Sequence, residues 1–137
     1  MIYALDSDIV SYMIKGDKDT KEKFMNMKEK ENFFSIPPLV YYEVKRWLDL
    51  RNATTQLQEF SELYHESIKN EMTLEIWEKA IEIYVKLILR GTPVSKEGNE
   101  SDIFIAAFCI VNDYILVTNN IKHFKNIKEL KVIDWRN

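Results

Sequence analysis

The chain has 137 residues and 46% hydrophobic content, enough for one sizeable core, so we expect a single domain over residues 1–137. With 19 basic and 22 acidic side chains the formal net charge is −3, which excludes a global pull toward polyanions and leaves nucleic-acid binding to local patches or bound metal. Cys109 has no partner for a disulfide, residues 1–8 carry two carboxylates where an export signal would be basic, and the longest apolar runs reach about half of the roughly 20 residues a membrane helix needs; the expected place is the cytoplasm, with no membrane association.

Residues 2–5 form an apolar run without polar alternation, which fits a strand buried on both faces of a parallel sheet. Ser7 or Asp8 can cap the helix that follows, and Gly16 closes it. Residues 19–30 read as a second, charged helix and 33–36 as a second strand. Pro37 and Pro38 suit a helix start, and Leu39, Val40, Val44, Trp47 and Leu48 recur at helical spacing as its inward stripe. Another helix spans 55–64, and 67–69 is a brief strand. Thr73 caps a long helix with a stripe of Ile76, Trp77, Ala80, Ile81, Tyr84, Leu87 and Ile88, ending at Arg90 before Gly91. Residues 92–100 have no periodicity and suit a flap over a site. A nearly all-apolar helix follows to Val111, then a strand at 114–118, a turn or short helix at 120–124 and a last strand at 131–133. This alternation predicts an α/β fold with three α/β/α layers and a central, mostly parallel sheet of four to five strands.

Three carboxylates stand out against that frame. Asp6 ends the first strand, Glu43 lies on the apolar stripe of the third helix, and Asp102 opens the most apolar helix. Taken singly, Asp6 and Asp102 read as caps and Glu43 as a solvated side chain. In a parallel sheet all three can converge at the carboxyl ends of the strands. Clustered carboxylates repel and need protons or hard cations to neutralise them, and an oxygen-only set suits Mg²⁺ or Mn²⁺ better than Zn²⁺.

The motifs Leu5-Asp6-Ser7-Asp8-Ile9-Val10-Ser11-Tyr12, Tyr42-Glu43-Val44, Ser101-Asp102-Ile103-Phe104-Ile105-Ala106-Ala107, Leu116-Val117-Thr118-Asn119-Asn120, His123-Phe124 and Val132-Ile133-Asp134-Trp135 occur in this order along nearly the whole chain. In order and spacing the chain resembles the PIN-domain ribonuclease toxins of the VapC type found in bacterial toxin–antitoxin pairs. That resemblance implies a PIN-like fold and a Mg²⁺- or Mn²⁺-dependent endoribonuclease, a hydrolase in which Asp6, Glu43 and Asp102 hold the metal. It places Asn120 where many relatives carry a fourth catalytic acid, and Asp8 where they carry asparagine. It further implies a VapB-like antitoxin partner, an RNA substrate and a homodimer, with the helices between Thr20 and Tyr64 as contact surfaces.

The expected chemistry is in-line attack by a metal-activated water on an RNA phosphodiester, leaving 5′-phosphate and 3′-hydroxyl ends. Ser7 and Thr118 are candidates to hydrogen-bond metal waters, Glu100 is an additional candidate ligand, and Lys15, Lys45, Arg46, Lys96 and Lys122 are candidate phosphate contacts. Alternatives are a metal-independent ribonuclease using His65 and His123 as base and acid, a receiver-like phosphoacceptor domain, or a non-catalytic partner-binding domain.

Overall fold

The structure, a computed structural model, describes residues 1–91 and 100–136. Its elements follow the predicted order: β1 (Ile2–Leu5), α1 (Ser7–Lys15), α2 (Lys18–Glu29), β2 (Phe33–Ser35), α3 (Pro38–Leu50), α4 (Thr54–Glu66), α5 (Leu74–Leu89), α6 (Glu100–Asn112), β3 (Ile115–Val117), a single 3₁₀ turn at Ile121–His123 and β4 (Val132–Ile133). Among the described residues the sheet has four strands, all parallel, in the order β2-β1-β3-β4. The expected strand at 67–69 reduces to one bridge between Ser35 and Ile68. The flap expected at 92–100, with Lys96, lies outside the described residues except for Glu100, the exposed first residue of α6.

Local chemistry sets the helix ends. Gly16 closes α1 with φ +81°, a conformation that a Cβ would disfavour, and its N–H donates to the Met13 carbonyl. Pro38 opens α3, where its missing N–H leaves no gap in the helical ladder. Thr73 caps α5 by accepting from the Ile76 N–H at 3.4 Å. The apolar run of β1 and the all-round apolarity of α6 have the same cause, burial on both sides: Ala4, Leu5, Ala106, Ala107, Phe108 and Cys109 are wholly enclosed. The same enclosure pushes the Cys109 thiol far up from its usual range, so it packs as a small hydrophobe and is no nucleophile.

Two stripes differ from expectation. Trp47 does not join the core beneath α3; Val40, Val44 and Leu48 do, while Trp47 is 53% exposed. On α5 the buried line is Ile76, Ala80, Ile83 and Leu87, whereas Trp77, Ile81, Tyr84 and Ile88 form a second line facing outward. Both lines repeat at three- and four-residue steps, so periodicity alone did not tell them apart. Trp77, Ile81 and Tyr84 of the outward line, with Ala80 and with Glu100, Ile103 and Phe104 of α6, wall a cavity of about 270 Å³.

The two faces should respond differently to truncation. Leu116→Ala, in the enclosed central strand, is expected to cost about 2–5 kcal/mol in urea unfolding, against less than about 0.5 kcal/mol for Ile81→Ala on the outward line. Equal losses at the two positions would contradict this assignment of inside and outside.

Candidate active site

The strand order reverses between β1 and β3: the chain leaves β1 for its neighbour β2 on one side and β3 for β4 on the other. Connections diverging in this way open a crevice at the carboxyl ends of the two strands. Asp6 and Thr118 are the residues immediately beyond those ends, and the Asp6 N–H still donates to the Val117 carbonyl at 3.0 Å. The two side chains therefore meet, with the Thr118 hydroxyl donating to Asp6 Oδ2 at 2.7 Å. The other oxygen, Oδ1, accepts from the Ser7 N–H at 2.8 Å. Asp6 itself is thus the cap of α1, the part expected of Ser7 or Asp8, and it caps from inside the crevice, only 5% exposed. Thr118, a candidate to hydrogen-bond metal waters, is fully buried; its hydroxyl donates to Asp6 and also accepts from the Asn120 N–H at 3.0 Å.

Glu43 rises from α3 into the same crevice. Ser101 Oγ reaches its Oε2 at 3.4 Å, the long end of a hydrogen bond, and its buried Oε1 has no hydrogen-bond partner among the described residues. A buried carboxylate oxygen left unsatisfied is costly, and its presence marks a place for something that donates or carries positive charge. Asp102, in the first turn of α6, completes the group, with its Oδ2 3.5 Å from Nδ1 of His123.

The electrostatics show that the three acids share one field. Asp6 is held above the usual carboxylate range by desolvation, opposed by Thr118 and Ser7, with the charge of Asp102 adding to the rise. Glu43 is also raised, by desolvation first and then by Asp6 and Asp102. The set fits a hard divalent cation in donor chemistry, being all oxygen with one orphaned acceptor. Among the described residues no three acid, histidine or cysteine side chains already stand as a closed cage, so a cation would have to draw the carboxylates together against their repulsion.

Asp8 and Asn120 form the rim. Asp8 Oδ1 accepts from the Ile9 N–H at 2.7 Å, while Oδ2 accepts from the Asn119 N–H at 2.9 Å and from Asn120 Nδ2 at 3.1 Å. Burial, followed by the charge of Asp6, raises Asp8 from 3.8 to about 6. Asn120 is therefore the hydrogen-bond partner of Asp8, a pairing that 112 residues of separation conceal. Of the two histidines, only His123 reaches the acids; His65 is exposed on the last turn of α4, and among the described residues no hydrogen bond or ion pair joins them. Lys45, a candidate phosphate contact, is paired with Asp49 at 2.7 Å.

Comparison with known proteins bears on the family and the fold. The family model for the PIN domain matches residues 3–130. Ribonuclease VapC2 of Rickettsia felis is 27% identical over 138 residues, covering 98% of each chain. Among solved structures, VapBC2 of Rickettsia felis bound to a promoter DNA fragment superposes with a TM-score of 0.83 at 26% identity over 98% of this chain and 99% of that one. VapBC-1 of nontypeable Haemophilus influenzae gives 0.79 at 22% identity over the whole of both chains, which speaks to the fold.

The rim pair makes a stability prediction. Asn120→Asp would set a second carboxylate about 3.1 Å from Asp8 and is expected to cost on the order of 1–3 kcal/mol near pH 7. Asp8→Asn combined with Asn120→Asp reverses the polarity of the pair and should restore most of that loss in a double-mutant cycle read by urea unfolding. Because the folded-state value of Asp8 lies above its unfolded value, its ionisation weakens the fold as pH rises from about 4 through 6, so Asp8→Asn should gain on the native chain over that window. Additive single and double effects would show that the two residues do not act as a pair.

Proposed function

Because the chain belongs to the PIN-domain family, we propose that it is a metal-dependent endoribonuclease and the toxin of a type II toxin–antitoxin pair, built as one nuclease domain over residues 1–137 and working in the cytoplasm. The observation that carries this reading is the convergence of Asp6, Glu43 and Asp102 in one crevice, with Asp6 and Glu43 pushed toward protonation by burial first and then by the neighbouring acids, and with Glu43 Oε1 left unsatisfied among the described residues. The similarity to a relative named as a ribonuclease gives the substrate class.

When bound, Mg²⁺ or Mn²⁺ supplies Lewis acidity toward the phosphate and lowers the pKa of a water. The chain's own residues supply position. Asp6 is fixed through both oxygens, by Ser7 and by Thr118, so it presents one orientation at no further entropic cost. Glu43 keeps an oxygen in reserve, and His123 steadies Asp102 from one side. Asp8 and Asn120 hold the turn after β3 against α1, which sets where Thr118 stands. Water attacks phosphorus, the bond to the 3′ oxygen breaks, and the ends left are a 5′-phosphate and a 3′-hydroxyl.

The partner reading follows from the solved relatives, which are complexes of VapB with VapC, and from the outward line of α5. Trp77, Ile81, Tyr84 and Ile88 are each between 43% and 56% exposed on one helix face, a contiguous apolar strip of the kind that marks protein contact. It is a protein-binding surface, for an antitoxin or for a second copy in a homodimer, and lies on α5 in addition to the helices between Thr20 and Tyr64.

The test is cleavage of total cellular RNA with sequencing of the cut ends. Wild type in Mg²⁺ or Mn²⁺ should give 5′-phosphates, and EDTA should stop it. Asp6→Asn, Glu43→Gln and Asp102→Asn should each lower the rate at least about a hundredfold while melting as folded proteins. Cyclic phosphate ends that persist in EDTA would favour the histidine route, and a folded Asp102→Asn with full activity would overturn the assignment.

A further inference from the structure

A second groove leaves the acidic crevice between α1 and α3. Ser7, Asp8 and Glu43 line its inner end, and its volume is about 270 Å³. Both helices carry it away from the crevice. On α3, Glu43, Trp47 and Arg51 succeed one another at four-residue steps, about 6 Å each, and on α1 Lys15 stands seven residues beyond Asp8. Arg46 flanks the same wall, its guanidinium 5.0 Å from the centre of the exposed Tyr42 ring. Among the described residues none of Lys15, Arg46 and Arg51 is held in an ion pair.

We propose that this groove is the track for single-stranded RNA beside the cleavage centre, with Trp47 stacking a base and Lys15, Arg46 and Arg51 contacting phosphates. The proposal rests on the nuclease reading and deepens it by naming how the strand is held. Three features point to a nucleic acid over an acidic protein segment. The groove is continuous with the crevice where the phosphodiester would be cut. It combines a half-exposed indole with guanidinium groups, the pairing that holds single strands by stacking and charge together. The cations also gather here in a chain of net charge −3, whereas in the groove between α2 and α4 Glu59, Glu62 and Glu66 outnumber Lys21 and Lys28, and Lys28 is paired with Glu66 at 2.8 Å, which leaves no surplus of positive charge for a polyanion. Because Trp47 was expected in the core, its exposure is itself unexplained by folding; a base stacked on it would remove that apolar surface from water.

The experiment uses a fluorescein-labelled, mixed-sequence single-stranded RNA of twelve nucleotides, bound to the Asp6→Asn chain and followed by anisotropy across a salt series. Trp47→Ala in that background should weaken binding about tenfold or more, with Trp47→Phe recovering most of it. Arg51→Gln and Lys15→Gln should each weaken binding and flatten the plot of log affinity against log salt by about 0.7. Lys125→Gln, exposed and off the groove, should change neither. In the catalytically intact chain the groove variants should raise KM for RNA and leave kcat within about twofold, since they touch no reacting atom. Binding and KM unchanged in Trp47→Ala and Arg51→Gln, in a chain that still cuts RNA, would overturn the track and leave the nuclease standing. A wild-type chain that neither binds nor cuts any RNA would overturn both. Loss in these variants of binding to a poly-glutamate peptide, with RNA binding retained, would assign the groove to an acidic protein segment and overturn the proposal.

Discussion

Burial of the Asp6 carboxylate at the end of β1 is the constraint on which the rest of the site depends. A charged group that is 5% exposed must be compensated or give up its charge, and the fold does part of each. Ser7 and Thr118 donate to its two oxygens, while desolvation and the nearby Asp102 still leave it holding its proton too tightly. A chain selected for stability alone would place an amide or an aliphatic side chain here. What keeps the arrangement in place is the apolar sheet beneath it, where Ala4, Leu5, Leu116 and Val117 are wholly enclosed and fix both strand ends. The strain is local and the packing that opposes it is distributed.

The rim is held by an acid–amide pair, Asn120 Nδ2 donating to Asp8 Oδ2. The resemblance implies asparagine at position 8 and an acid at position 120; here the acid is at 8 and the amide at 120, and the two are 3.1 Å apart. One carboxylate facing one amide is a hydrogen-bonded pair in either order, whereas two carboxylates repel and two amides lose a charge. Read one position at a time, Asn120 looks like a missing charge and Asp8 like a helix cap. Read as a pair, they place one carboxylate at the mouth of the crevice, a hydrogen bond's length from the side chain of Asn120.

How much of this was legible in the sequence follows from the range of each interaction. The order of elements was readable because β1, α3 and α6 each announce themselves within a dozen residues, through an unbroken apolar run, a proline start and all-round apolarity. Of the three acids only Glu43 is locally anomalous, an acid on an apolar stripe, whereas Asp6 and Asp102 read singly as caps and were grouped with it by the expected topology and the resemblance. Partners were not readable: the contacts of Asp8 with Asn120, Thr118 with Asp6 and His123 with Asp102 join segments far apart in the chain. Trp47 and the second stripe of α5 misled for a different reason. A helix with apolar residues on two faces has one period and two candidate insides, and only the neighbours it meets decide between them.

The parallel topology also explains why cations stand where they do. The starts of α1 and α6 both point at the acids, with Asp6 capping α1 and Glu100 and Asp102 in the first turn of α6. A helix N-terminus carries partial positive charge, so this convergence offsets some of the repulsion without adding a side-chain cation. An arginine inside the crevice would offset more, yet it would occupy the place of a divalent ion. Arg46, less than one turn along α3 from Glu43, lowers the pKa of that carboxyl only in part against burial, Asp6 and Asp102. The other positive side chains of the groove stand at helix ends where the dipole favours them: Lys15 in the last turn of α1 and Arg51 at the C-cap of α3. The helices α1 and α3, one capped by Asp6 and the other carrying Glu43, thereby set basic residues one groove's length from the acids, which is the charge pattern that the proposed RNA track requires.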